Sequence, residues 1–210
     1  MGRKQRVKPN SAQREKGGNM SDRCPWCGTD PLYVAYHDEE WGVPEYDPRA
    51  LWEKLILDGF QAGLSWITIL KKRDNFRAAF AGFQPDVIAT WGEADVTRLL
   101  ADPGIIRHRG KIEGTIKSAR AYLAIEAREG FSTYLWKHLD GRPLQNRPAT
   151  PRDIPNETPL SQAISKQLKK DDFTFCGPTI TYAFLQATGL VNDHLITCPA
   201  HARVAAMAKA

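Results

Sequence analysis

An all-α fold follows from three features of this chain. Apolar residues recur at three- and four-residue intervals in several stretches. Two of those stretches open on helix-starting pairs, Asp47-Pro48 and Thr158-Pro159. No stretch alternates convincingly as a strand does, and no internal repeat is present. With 210 residues, 42% hydrophobic and 25% charged, the chain can bury a sizeable core as one main domain.

In order, residues 1–20 are basic and polar without periodicity, which predicts a disordered basic tail. The folded domain is expected over 21–200, followed by a short C-terminal tail, 201–210. Cys24–Trp41 carries Pro, Gly and Asp-Pro signals and predicts short extended or irregular structure. Asp47 is a good N-cap, so a helix is expected to run to about Asp58, broken by Gly59 and Gly63. Ser65 caps the next, in which Trp66, Ile69, Leu70, Arg73 and Phe80 recur at helical spacing. Shorter helices are predicted around Pro85–Thr90 and Glu93–Ala101, then a long helix after Asp102–Ile112 to about Glu129, and another over Phe131–Leu139. Asp140–Glu157 is Pro-rich and reads as a long loop. Thr158-Pro159 opens a helix through Lys170, and Gly177-Pro178 one through Thr188, ended by Gly189.

A formal net charge of +5 and a pI near 9.0 suit a nucleic-acid partner without singling one out. No apolar run approaches a membrane span and no signal-peptide core follows Met1, so a cytoplasmic protein with no membrane partner is expected. Two of the four cysteines lie near histidines, which favours metal binding over disulfides.

Three groups of residues carry chemistry. Pro103–Lys111, PGIIRHRGK, is a Gly-bearing turn between two predicted helices. Backbone N–H groups at the start of the second helix can bind a phosphate oxygen without reading sequence. Gly104, Arg107, His108, Arg109, Gly110 and Lys111 are therefore candidate DNA contacts. The string resembles a helix-hairpin-helix motif in which the second glycine is replaced by Ile106.

The second group is metal-like. Cys24 and His37 are thirteen residues apart, and His194 and Cys198 four apart. Two thiolates and two imidazoles suit tetrahedral Zn²⁺ in a closed, structural site. On spacing alone Cys27 and His201 are rival ligands.

The third group combines Trp26, Tyr33, Tyr36, Trp41 and Trp66 with Asp58. Aromatic rings stack on a flipped base and a carboxylate accepts from its N–H groups. Asp58 shares a helical face with Leu51 and Leu55, so an acid stands where an aliphatic residue is expected.

Four strings, DPLYVAYHDEEWGVPEYD, GFQAGLSWITILKKR, GIIRHRGKI and GLVNDH, occur in the order found in the bacterial 3-methyladenine-DNA glycosylase I family, which the chain resembles over about 22–198. The resemblance implies the helix-hairpin-helix DNA glycosylase fold, with one structural Zn²⁺ on Cys24, His37, His194 and Cys198 joining the two ends of the domain. It implies a base pocket of Trp26, Tyr33, Trp41, Asp58 and Trp66, with Asp58, Tyr36 and Trp66 closest to catalysis. Gly63 and Leu64 match the turn that wedges into DNA. The family commonly carries Glu where this chain has Asp58, one methylene shorter. Asp193, in a Val-Asn-Asp-His string, is read as a supporting residue rather than a catalytic acid, and Ala183 stands where some relatives have Ser.

The implied activity is base-excision repair: hydrolysis of the N-glycosidic bond of 3-methyladenine in alkylated double-stranded DNA. A monomer is expected. No lysine is obviously placed for Schiff-base chemistry, so no strand nicking is expected. Two other readings are a zinc-stapled DNA-binding module, which leaves the aromatic-and-acid set unexplained, and a nuclease or lyase, which needs a carboxylate metal cluster or a reactive lysine.

Overall fold

The structure, a computed structural model, describes residues 23–208; the predicted basic tail, 1–20, lies outside them. The fold is largely helical, as expected. In chain order the helices are α1 (Pro31–Glu39), α2 (Pro48–Gln61), α3 (Trp66–Leu70), α4 (Arg73–Ala79), α5 (Pro85–Ile88), α6 (Glu93–Ala101), α7 (Arg109–Arg128), α8 (Phe131–Trp136), α9 (Pro159–Lys170), α10 (Pro178–Ala187) and α11 (Pro199–Met207).

Helix α2 is the centre. The Asp47 side chain caps it by accepting from the Ala50 N–H at 2.8 Å, with Pro48 in the first turn. Leu51, Trp52, Leu55, Ile56, Leu57 and Phe60 are all buried, and the helix packs against α3, α7, α8 and α10. A helix covered on nearly every side is a core helix, not an amphipathic surface one. Asp58 is therefore buried because its whole helix is.

The Cys24–Trp41 stretch departs from expectation: after a 3₁₀ turn at Pro25–Cys27 it forms α1. Asp30-Pro31 is an N-cap and first helical residue here, the Asp30 carboxylate accepting from the Leu32 N–H at 3.0 Å. The helix predicted from Ser65 onwards is two helices, α3 and α4, separated at Lys71–Lys72. The Pro-rich loop contains Leu144–Gln145 (β1), which pairs in parallel with Val191–Asn192 (β2), a contact too short to leave a periodic pattern. Chain end 201–207 continues α11, with His201 and Val204 buried, so the helix crosses the expected domain limit at residue 200. Gly189 is required where α10 ends: its φ is +68°, and a Cβ there would meet the Val43 and Pro44 backbone at 2.4 Å.

Candidate active site and metal cluster

Helices α1, α2, α3 and α10 enclose a cavity of about 420 Å³. All six residues of the predicted pocket line it: Trp26, Tyr33, Tyr36, Trp41, Asp58 and Trp66. The rings form one contiguous wall, Trp26 lying 5.1 Å from Tyr33 and 5.0 Å from Trp41, and Tyr36 lying 5.4 Å from Trp66, centroid to centroid. Such spacings are favourable for tilted aromatic pairs.

Asp58 is only 1% exposed. Its Oδ1 accepts from the Lys54 ammonium at 2.5 Å, one turn back on α2. Its Oδ2 is buried and has no hydrogen-bond partner among the described residues. Burial pushes the Asp58 carboxyl up and the Lys54 amine down, against their mutual attraction. The Lys54 Nζ also stands 3.8 Å from the centroid of the Trp66 ring, a cation–π contact. Lys54 was not anticipated from the sequence, yet among the described residues it is the one basic side chain lining this cavity.

The turn after α2 is exposed. Gly63 has φ +83° with open space around it, and Leu64 is 43% exposed. Lys111, expected among the DNA contacts, instead reaches inward to this turn. It is 7% exposed, and its Nζ donates to the carbonyls of Phe60 at 2.9 Å and Ala62 at 2.7 Å. It thereby caps the C-terminal end of α2, whose last carbonyls have no helical partner.

The hairpin itself connects α6 to α7. Ile105 anchors it in the core, and Lys72 donates to the carbonyls of Pro103 and Gly104, both at 3.1 Å. His108 caps α7, its Nδ1 accepting from the Lys111 N–H at 3.2 Å, with Gly110 in the first turn. Arg109 is exposed but shared between Glu93 and Glu113. Arg107 is exposed and makes no ion pair among the described residues.

Cys24, His37, His194 and Cys198 converge: their ligand atoms lie within 4.8 Å of one another and all four residues are buried. Cys24 Sγ is 3.5 Å from His194 Nδ1, and Cys198 Sγ is 3.6 Å from His37 Nε2 and 3.8 Å from His194 Nδ1. A tetrahedral Zn²⁺ with ordinary bond lengths sets sulfur and nitrogen about 3.6 Å apart, so the cluster fits that ion. The other imidazole nitrogens are already oriented, His37 Nδ1 to Asp38 at 2.7 Å and His194 Nε2 to the Trp41 carbonyl at 2.9 Å. The rival ligands turn elsewhere: Cys27 Sγ donates to the Cys24 carbonyl and His201 Nε2 faces the Asn146 carbonyl at 2.8 Å.

Asp193 is buried and hydrogen-bonded through both carboxylate oxygens. It accepts from Tyr182 at 2.5 Å, Gln186 at 2.7 Å and Asn146 at 2.7 Å. It does not line the cavity itself but fixes two residues that do, Tyr182 and Gln186.

A sequence model described as methyladenine glycosylase matches residues 26–201. The chain belongs to the methyladenine glycosylase family. The DNA-3-methyladenine glycosylase 1 of Escherichia coli K12 is 53% identical over 178 residues, 84% of this chain and 95% of that protein. A crystal structure of a 3-methyladenine DNA glycosylase I superposes with a TM-score of 0.84 at 55% identity, covering 85% of this chain and 99% of that one. Another, of a Tyr-to-Phe variant of a 3-methyladenine DNA glycosylase I in complex with 3-methyladenine, gives a TM-score of 0.83 at 38% identity, covering 86% and 97%. In this methyladenine glycosylase family member, Lys54, Gln61, Asn156, Thr179, Tyr182 and Gln186 complete the polar lining of the cavity, and Ala183 adds a small apolar patch. The sequence signal for Lys54 is its i, i+4 spacing from Asp58, which by itself reads as an ordinary surface pair.

Proposed function

We propose that the chain is a DNA base-excision repair glycosylase that hydrolyses the N-glycosidic bond of 3-methyladenine in alkylated double-stranded DNA, leaving an abasic site. Family membership supports the reaction, and one observation carries the site: a buried carboxylate oxygen, Asp58 Oδ2, without a partner among the described residues, in a cavity walled by six aromatic rings. A buried acceptor without a donor costs free energy that a ligand N–H recovers.

In this reading the damaged base flips into the cavity, stacks against Trp66 and Tyr36, and donates its exocyclic N–H to Asp58 Oδ2. Trp26, Tyr33 and Trp41 exclude water around it. Tyr36 stays neutral, because burial pushes its phenol well above the ordinary range. A 3-methylated adenine nucleotide carries a positive charge, so the base leaves without being protonated. The C1′–N9 bond breaks with its electron pair going to N9. Positive charge passes to the sugar, and water adds at C1′ and loses a proton. No group is needed to protonate the base. Lys54 donates its proton-bearing amine to Asp58 and lies within the base cavity, so it is not assigned as a Schiff-base nucleophile.

Leu64, on its positive-φ turn, fills the gap left in the duplex, and the hairpin N–H groups with Arg107 hold phosphate. Zn²⁺ on Cys24, His37, His194 and Cys198 is structural: with four protein ligands it leaves no open position for chemistry and cross-links the two ends of the domain. The protein acts as a monomer in the cytoplasm. No helix among the described residues is long and apolar enough to cross a membrane.

The test is incubation with N-methylated duplex DNA, measuring released bases and strand breaks. Release of 3-methyladenine above the spontaneous rate, without nicking, is expected, and Asp58→Asn should bind the duplex yet turn over at least tenfold more slowly. Release no faster than the spontaneous rate from folded, zinc-loaded protein refutes the activity. Stoichiometric zinc is expected in the purified protein.

A further inference from the structure

Phe175, between α9 and α10, stands where folding alone does not favour an aromatic residue. Its φ is +52° and it is 38% exposed. Among the described residues it is the one large hydrophobic side chain that is both exposed and in the left-handed region, where a bulky residue is strained. The conformation is held from both sides. Phe173 is buried, its ring 5.8 Å from that of Phe131. The Cys176 carbonyl accepts from Ser165 Oγ at 2.6 Å and from Thr181 Oγ1 at 3.0 Å.

Two helices make room for this loop. Gly59 of α2 and Gly114 of α7 stand inside their helices, where glycine is less stable than alanine. A Cβ at Gly59 would lie 3.4 Å from Phe175 Cβ. One at Gly114 would collide with Thr174 Oγ1 and stand 3.5 Å from the Phe175 ring, and one at Gly110 would stand 3.6 Å from it. The ring lies 5.8 Å from that of His108, the hairpin residue that caps α7. It also lies 5.8 Å from Lys111 Nζ, the amine that holds the Phe60 and Ala62 carbonyls beside the Gly63–Leu64 turn. Phe175 therefore sits where the hairpin and the turn after α2 meet.

We propose that Phe175 is a second apolar contact to duplex DNA: its exposed ring packs against a deoxyribose and base edge of the strand that the hairpin grips, and steadies that strand while Leu64 fills the gap left by the flipped base. This rests on the glycosylase reading above and extends it. Covering the ring removes apolar surface from water, and a ring fixed in advance by its loop loses little freedom on binding. The contact carries no charge, so it adds affinity without releasing counterions. If the ring serves only to shield the Lys111 bonds to α2, its loss lowers stability and leaves DNA affinity unchanged.

The experiment is binding of the intact protein to a duplex carrying a tetrahydrofuran abasic-site analogue, over a range of salt. Glycine suits the positive φ, so Phe175→Gly removes the ring without adding strain. It should bind this duplex about tenfold more weakly at every salt concentration, with an unchanged salt slope. Free 3-methyladenine should bind it as it binds the wild type. Phe175→Leu, which keeps an apolar contact, should recover most of the duplex affinity. In the wild type, 5-iododeoxyuridine placed in turn at the positions flanking the analogue should photo-cross-link to the peptide containing Phe175. Wild-type duplex affinity in a folded Phe175→Gly overturns the contact, and so does an equal loss of duplex and free-base binding. Absence of a Phe175 cross-link from every flanking position overturns it without any variant. Each of these leaves the glycosylase reading intact. A wild type that neither releases 3-methyladenine nor binds the analogue duplex overturns that reading and this inference with it.

Discussion

Replacing Lys111 by Met separates a DNA contact from a structural one within a single basic string. The side chain is 7% exposed, and its amine holds two carbonyls, Phe60 at 2.9 Å and Ala62 at 2.7 Å. Burial pushes the amine's pKa down, which also marks it as a poor phosphate ligand. Methionine keeps the apolar stem but leaves both carbonyls without a donor. At about 1.5 kcal/mol for each hydrogen bond, the loss is about 3 kcal/mol. For a domain of this size that corresponds to a fall in Tm of roughly 6–12 °C.

The second readout is the salt dependence of binding to a duplex carrying an abasic-site analogue. Each phosphate contact contributes about 0.9 to the slope of log K against log salt. Lys111→Met should leave that slope unchanged, while Arg107→Ala, at an exposed side chain without an ion pair among the described residues, should reduce it by about 0.9. A Lys111→Met protein that melts like the wild type and loses about 0.9 of slope refutes the inward assignment.

Cys24→Ala should lose stoichiometric zinc and melt well below the wild type, because ligation is linked to folding, whereas Cys27→Ala should retain both metal and stability; metal analysis and calorimetry decide between them. Leu64→Ala, at a 43% exposed position, should change stability by no more than about 0.5 kcal/mol yet slow excision from duplex more than from single-stranded substrate; equal slowing on both removes the wedge. Asp58→Ala alone should destabilise by roughly 3 kcal/mol by leaving Lys54 unpaired, while Lys54→Met with Asp58→Leu should recover most of it and have no excision activity. Denaturant melts of the two variants give the comparison.

The caps made the main helices legible. Asp47-Pro48 and Thr158-Pro159 each carry a side-chain cap in the structure, and α6 spans the predicted Glu93–Ala101. Asp30-Pro31 is the same signal, but it sits beside a Cys-Pro-Trp-Cys-Gly run whose turn character masks a helix. The predicted pocket and metal ligands converge as the resemblance implies, although they span 24 to 198. Lys54 and Lys111 were not legible in their roles. A lysine one turn from an acid ordinarily reads as a surface pair, and a lysine in RHRGK as part of a basic patch. What reverses both readings is the burial of α2 on nearly every side, a tertiary fact that no local window contains.

The pocket and the Cys/His cluster are physically one construction. Four of the six cavity rings come from Trp26–Trp41, a segment whose helix, α1, buries only Tyr36 and His37. Two buried side chains do not fix nine residues against their conformational entropy. The cluster supplies the missing constraint: Tyr36 and His37 are adjacent in sequence and face the cavity and the cluster respectively. Trp26 packs 5.2 Å from the His37 ring and Trp41 4.6 Å from that of His194. Outside the cluster, Arg23 holds Asp38 at 2.8 Å, and Asp38 in turn holds the His37 imidazole. A metal ion held by the cluster would therefore act on catalysis from a distance, by holding in place the rings on which the base is proposed to stack.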